Sequence, residues 1–299
     1  AVTIGSWMAA LGLGMGLTCI GLSLRYRVPV VTAWSTPGAA MLITGVSGVS
    51  MPEAIGAFMV CALLIMLAGF SGWFERVMNR IPISIAAGML AGVLLRFGLD
   101  VFAAMSAQFA LAFTMFAVYL LARRGWPRYA VIAALLAGLV VAGTRGLLHV
   151  GELRLALATP VFTAPQFSAA ALVGVALPLF VVTMASQNVP GAAVIRASGY
   201  SVPISPLIGW TGLASFVLAP FGAYALNLAA ITAAICMGRE AHEDPARRYV
   251  ASVAAGVFYL LIGLFGATVA ALFAAFPREL IMAIAGIALF GAIGGGLAQ

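Results

Sequence analysis

The chain is 299 residues long, 64% hydrophobic and 8% charged, with a mean hydropathy of +1.15. That composition excludes a soluble globular domain and demands a lipid environment. The formal charge of +7 comes from fifteen Arg and no Lys against eight acids; with no soluble domain to present it, it reads as loop charge that orients a membrane protein, not as a nucleic-acid surface.

Apolar runs long enough to span number about eleven. The first, residues 7–24, is Gly-rich and suited to close helix packing, and Arg25-Tyr26-Arg27 closes it. The second, residues 29–50, changes character halfway. Pro29, Val30, Val31 and Thr32 favour an extended chain, whereas Ser35 or Thr36 makes a good N-cap, Pro37 fits a first helical turn, and Gly38-Ala39-Ala40-Met41-Leu42 runs on as apolar helix. Because the apolar sequence continues on both sides, this helix start falls near the bilayer midplane, where unpaired backbone is tolerated only beside protein or a polar cavity. It reads as half of a binding site for something small and anionic.

Further spans follow at 51–74, 82–102, 106–122 and 129–148. Residues 149–166 are the most polar and least periodic stretch, and are expected to link two halves. Beyond them come 167–199, 203–219, 220–238, 249–276 and 280–298. Alternating the loops places Arg25, Arg27, Arg76, Arg80, Arg123, Arg124, Arg128, Arg196, Arg239, Arg247 and Arg248 on one side and only Arg145, Arg154 and Arg278 on the other. Eleven against three makes the first side cytoplasmic. The halves also echo each other. Trp34 with Ala39-Ala40 recurs 190 residues later as Tyr224 with Ala229-Ala230, after Pro29 and Pro220, and Ile81-Pro82 before Ala87-Gly88 recurs loosely as Phe276-Pro277 before Ala285-Gly286. Pro29 and Pro220 enter from opposite sides, so the repeat is inverted.

In residues 220–238, Gly222 and Ala223 read as a slim extended stretch, with a helix expected to start near Leu226-Asn227. Two helix starts, each carrying roughly half a positive charge, would then face one place; the alternative is a surface turn between two helices. In the middle of 167–199, Gln187 and Asn188 are costly at lipid depth unless hydrogen-bonded. They offer amides to a ligand or glue helices together. Trp34 and Tyr224 would wall a ring or simply pack. Arg96 and Asp100, four apart, share a helix face as a structural pair or part of a gate. Cys19, Cys61 and Cys236 lie inside apolar runs without disulfide or metal spacing, His149 and His242 fall in loops, and no catalytic motif is present, so neither an enzyme nor a cofactor is expected.

The stretches PVVTAWSTPGAAML, ASQNVPGAAVIRASGY and GAYALNLAAITAAICMGREAHEDPARRY resemble the benzoate:proton symporter family, the BenE-type membrane proteins of bacteria, and the resemblance covers essentially the whole chain. It implies an all-α polytopic fold shared with uracil permease and the sulfate and bicarbonate transporters. That fold has two inverted repeats of seven spans, a core and a gate domain, and two spans that are half strand and half helix. The core would comprise residues 1–74 and 167–276, the gate 75–148 and 277–299, and 149–166 the linker; with about eleven spans, the family's first and last two look missing here. The resemblance further implies an inner-membrane secondary transporter of benzoate or a related aromatic carboxylate, coupled to protons by symport, and leaves a homodimer open. The substrate site would take Thr32, Ala33, Trp34, Ser35, Thr36 and Gly38 from the first broken span, Gln187 and Asn188 from the 167–199 span, and Tyr224, Ala225, Leu226 and Asn227 from the second broken span. Nucleobase permeases of this fold carry carboxylates where this chain has Ser186, Gln187, Leu226 and Asn227. A neutral site avoids repelling an anion, but it provides no evident proton carrier. Another small anion, a nucleobase or a channel-like anion pore remains the alternative cargo or mode.

Overall fold

Long apolar runs without interior breakers become helices, and the breaks between them fall where proline, glycine or a charged pair interrupts the run. The computed structural model describes residues 4–45, 48–78, 95, 98–149 and 157–297. Its elements in order are α1 (Ile4–Tyr26), β1 (Thr32–Trp34), α2 (Thr36–Gly45), α3 (Met51–Phe70), α4 (Trp73–Met78), α5 (Gly98–Ala107), α6 (Phe109–Gly125), α7 (Ala130–Thr144), α8 (Ala169–Ala197), α9 (Ile204–Leu218), β2 (Leu226–Leu228), α10 (Ile231–Met237), α11 (Tyr249–Leu264), α12 (Gly266–Ala275) and α13 (Arg278–Leu297). The protein is mostly helical, and among the described residues five helices are long and apolar enough to cross a membrane. The Arg96–Asp100 pair, the start of the 82–102 run, its Ile81-Pro82 echo, Arg80 and Arg154 involve positions outside the described residues.

Two boundaries differ from the sequence expectation. The 249–276 run is two helices, α11 and α12, separated at Phe265; Gly266 stands against Met8 of α1, where a side chain would collide, so helix packing decides the break. More consequentially, no helix starts at Leu226-Asn227. Ala225 adopts a positive φ of 41°, residues 226–228 form β2, and the helix begins at Ile231. Leucine and asparagine carry no strand preference strong enough to announce this; pairing with β1 overrides local propensity.

α8 stays continuous through two prolines by widening ahead of each. Leu177 N–H bonds Leu172 O and Val189 N–H bonds Met184 O, five residues back, in the π turns Leu172–Ala176 and Met184–Asn188. Each widened turn ends two residues before a proline, Pro178 or Pro190, whose ring cannot fit the normal ladder.

α1 and α11 lie close because glycines face each other. A side chain at Gly12 would sit 2.6 Å from Tyr259 O, and one at Gly16 would sit 2.8 Å from Gly256 O. This is the small-residue packing that membrane helices use when hydrophobicity no longer drives association.

The two ends of the bundle are tied differently. At one end the stretch after residue 157 runs as a strap: Ala158 N–H donates to Leu264 O (2.9 Å), Val161 N–H to Ser6 Oγ (2.8 Å), Thr163 N–H to Pro220 O (2.8 Å) and Gln166 N–H to Pro52 O (2.9 Å). This closes the described part of the expected linker across the ends of α1, α3, α9 and α11. At the other end Arg27 Nη1 donates to Tyr249 OH (2.9 Å), and the buried Arg248 donates to the carbonyls of Met237 (2.8 Å), His242 (2.7 Å) and Glu243 (3.2 Å). Arg248 thereby caps the C-terminus of α10 with charge and hydrogen bonds. An open cavity of about 840 Å³ at this end is lined by Pro127, Arg239, His242 and Arg248 among others. Arginines from the α1, α10 and α11 ends thus gather on one side, as the positive-inside assignment requires.

Buried side chains form two clusters. The larger joins α1, β1, α2, α3, α8, α9, β2 and α10; the smaller joins α5, α6, α7 and the start of α13 through Val101, Leu111, Met115, Ala134, Leu280 and Ile287.

Candidate functional site

A two-stranded sheet inside a bilayer has two open edges, and each unpaired backbone group there costs several kcal/mol. β1 and β2 pair antiparallel, with Thr32 opposite Leu228, Ala33 opposite Asn227 and Trp34 opposite Leu226. Ala229 N–H to Val31 O (2.9 Å) and Ser35 N–H to Ala225 O (3.2 Å) extend the ladder at its ends. The outer edges are closed by side chains that look out of place in apolar helices. On the β1 side, Val30 N–H donates to Ser23 Oγ (3.1 Å) and Thr32 N–H to Cys19 Sγ (3.1 Å). On the β2 side, Leu226 N–H donates to Ser215 Oγ (2.9 Å) and Leu228 N–H to Asn188 Oδ1 (3.0 Å). The π turn that holds Asn188 brings it to this edge, and its Nδ2 points at Met184 Sδ, 3.2 Å away.

Each strand is followed directly by a helix. Ser35 is the cap of α2: its Oγ accepts Gly38 N–H at 3.0 Å, and its carbonyl accepts Ala39 N–H at 2.8 Å. Gly38 is needed because a Cβ there would meet Leu179 Cδ1 at 2.7 Å and the capping hydroxyl at 2.8 Å. α10 begins after Ala230 with no side-chain cap. Since the strands run antiparallel, the two helix starts lie on opposite sides of one small sheet.

Two buried oxygens near this centre are without partners among the described residues: Asn227 Oδ1 and Thr183 Oγ1. Asn227 is fully buried and donates Nδ2 to Ala225 O at 2.8 Å, which fixes which end of the amide is left over. Thr183 lies one helical turn beyond Leu179, the residue facing Gly38, and so shares its face of α8.

At the Trp34 end of the sheet four rings meet. Tyr224 is 6.0 Å from Trp34, 6.0 Å from Trp7 and 5.6 Å from Phe58, and Trp7 stands edge-on to Phe58 at 5.9 Å. Gly222, with φ of 104°, makes room for the Trp7 ring. Trp34 is 39% exposed and Tyr224 4%, so the cluster shows one ring and buries the next.

The residues expected at the site therefore converge, with distinct tasks. Ala33 and Leu226 hold the strand pair, Ser35 and Gly38 the α2 start, Ala225 the turn into β2, and Asn188 its outer edge. The Thr32 hydroxyl is turned to α1, 2.6 Å from Thr18 Oγ1 and 3.2 Å from Met15 O, so this residue contributes position and not a free polar group. Thr36 is exposed at the first turn of α2, and Gln187 is half-buried beside Asn188. Missed from sequence were Cys19, Ser23, Thr183 and Ser215, as well as Trp7 and Phe58. The four polar residues were visible as hydrogen-bonding groups inside apolar spans, whereas two aromatics in an apolar run carry no such mark.

A profile of the BenE family, described as benzoate membrane transport protein, matches residues 1–299. The chain is 51% identical over 296 residues to inner membrane protein YdcO of Escherichia coli, an alignment spanning 99% of this chain and 76% of that protein. It is 42% identical over 288 residues to the benzoate membrane transport protein of Acinetobacter baylyi, covering 96% of this chain and 73% of that one. With the apolar helices described above, these similarities make it a multi-pass membrane protein and a transporter by family. The chain belongs to the BenE family of benzoate membrane transport proteins.

Proposed function

We propose that this protein carries benzoate or a close aromatic carboxylate across the inner membrane, coupled to protons, by alternating access around the β1–β2 pair. The observation that carries this reading is the strand pair itself, with a helix leaving each strand and an aromatic wall at one end. The carboxyl group lies at the helix starts near Ser35–Gly38, beside Asn227, and the ring packs against Trp34 and Tyr224. Asn188 and Ser215 keep the strand in place, and Gln187 borders the site. The Acinetobacter baylyi relative, a benzoate membrane transport protein, supports the cargo, and the Escherichia coli relative, an inner membrane protein, supports the compartment.

The two hydrophobic clusters support a division into a core (residues 1–74 and 167–276) that holds the site and a gate (75–148 and 277–299) that moves against it. The opposed strand-then-helix segments support an inverted repeat, in which the same device enters the membrane from both sides.

The test is uptake of labelled benzoate into proteoliposomes containing the purified chain, with an inward pH gradient imposed. Saturable, gradient-driven uptake competed by benzoate analogues is expected. Uptake competed by uracil or sulfate and indifferent to benzoate would assign another cargo to the same fold, and conductance far above transporter turnover would indicate a pore.

A further inference from the structure

Among the described residues two buried oxygens near the strand pair lack partners, and only one of them, on β2 itself, is an acceptor that can never donate. Asn227 Oδ1 is a hydrogen-bond acceptor, fully buried, with its own amide nitrogen already committed to Ala225 O and no donor aimed at it from the described residues. A buried acceptor needs a donor. A carboxylate brings only acceptors, whereas a carboxylic acid brings one O–H. Among the described residues, the elements around it carry no Asp, Glu, His or Lys inside their spans. Residues 1–52 and 155–239 contain no Asp, Glu, His or Lys. Besides charges at helix ends, the ionisable side chains on α1, α3, α8, α9, α10, α11 and the segment leading into β2 are the Cys19, Cys61 and Cys236 thiols and the Tyr26, Tyr224, Tyr249 and Tyr259 phenols, none of them a carboxylate, imidazole or amine. The charges on those elements stand at helix ends: Arg25 on α1, Arg196 on α8, Glu53 at the start of α3, and Arg278 and Glu279 at the start of α13.

Taking the site to be one for an aromatic carboxylate, we propose that the substrate is held there as the neutral acid, its O–H donating to Asn227 Oδ1, so that the coupled proton travels on the substrate and not on the protein. The carboxylate takes one proton from water on the outer side, forming its O–H bond, and the acid crosses with no net charge. On the inner side it returns the proton to water and leaves as the carboxylate. Desolvation of the carboxyl group and its hydrogen bond to the amide oxygen both favour the protonated form. The carbonyl oxygen of the acid faces the positive end of α2. One proton accompanies each substrate without an acidic residue in the path.

The experiment uses the full chain in lipid nanodiscs and three ligands. Benzoate binds as acid only after taking a proton, benzamide is permanently neutral and keeps an N–H donor, and methyl benzoate is neutral with no donor. Calorimetry is expected to show benzamide competing with benzoate at an affinity flat from pH 6 to 8. Methyl benzoate should fail to compete, and the benzoate Kd should rise about tenfold per pH unit. Isotope-edited infrared spectra of carboxyl-labelled benzoate should show the carbonyl stretch of a COOH group in the bound state. A carboxylate spectrum, with benzamide unable to compete and a benzoate Kd independent of pH, would overturn the proposal while leaving benzoate transport standing. If neither benzoate nor benzamide binds saturably to the folded wild-type protein, the benzoate reading falls and this inference with it. An Asn227→Leu variant that loses benzamide and benzoate together at an unchanged melting temperature would place the donor contact at Asn227; unchanged affinity for both would remove it.

Discussion

The two broken segments solve one problem in two ways. The first, β1 into α2, is finished: Ser35 caps its helix and α1 supplies Cys19 and Ser23 to its open edge. The second, β2 into α10, is equally well closed at its edge by Ser215 and Asn188, yet its helix start has no side-chain cap and its central residue, Asn227, keeps an acceptor without a partner. Where so many backbone groups are satisfied at lipid depth, this amide oxygen and the Thr183 hydroxyl are the buried side-chain oxygens left open among the described residues. On the proposed reading, the difference makes the first segment chiefly a frame and the second the place where a ligand would complete the hydrogen bonding.

The largest expected effect comes from attacking the edge of the second strand. Asn188→Leu strands the Leu228 N–H in a buried setting, which costs about 1–3 kcal/mol. The expected outcome is a lower melting temperature together with loss of benzoate binding. Asn188→Asp, which keeps an acceptor for that N–H but introduces a buried charge, should recover only part of the stability.

Asn227→Leu sharpens the contrast, because it removes an unsatisfied group and one short hydrogen bond together. Stability is expected to change by less than about 1 kcal/mol, while benzoate affinity falls about tenfold or more, the loss of one buried hydrogen bond to ligand. Thermal melting and calorimetry on the same preparation separate the two. On the first segment, Ser35→Ala should cost about 1 kcal/mol through the lost cap of α2. Its effect on binding should follow from that loss of order and be smaller than that of Asn227→Leu. The smallest effect is expected for Trp34→Phe, which keeps a ring beside Tyr224; aromatic contacts of this kind are worth about 0.5–1.5 kcal/mol. Trp34→Ala should weaken benzoate more than Trp34→Phe, and a non-aromatic anion should distinguish neither.

Much of this organisation was legible in the residues because lipid simplifies the argument. Proline and β-branched residues before Ser35, followed by Pro37 and Gly38, mark a strand turning into a helix, and the arginine asymmetry gives an expectation of which way the chain runs. What escaped was whatever depended on a partner far away in sequence. Leu226-Asn227-Leu228 is a strand because residues 32–34 lie beside it, and nothing in those three residues says so. The π turns before Pro178 and Pro190 could have been suspected from the prolines, but the consequence, that Asn188 reaches Leu228 N–H, needs both helix and strand in place. Ser23 and Ser215 read as tolerated small polar residues until the strand edges appear next to them. The break at Phe265 rests on how closely Gly266 approaches Met8, a matter of packing that an apolar run conceals.

The most direct test of the central claim is benzoate titration of the wild-type chain and of Asn227→Leu in nanodiscs, read by calorimetry with the melting temperature of each recorded alongside. The account predicts saturable binding to the wild type, weakened about tenfold or more in the variant at a nearly unchanged melting temperature. Equal benzoate affinity in both, with both folded, would contradict it and move the site away from the strand pair.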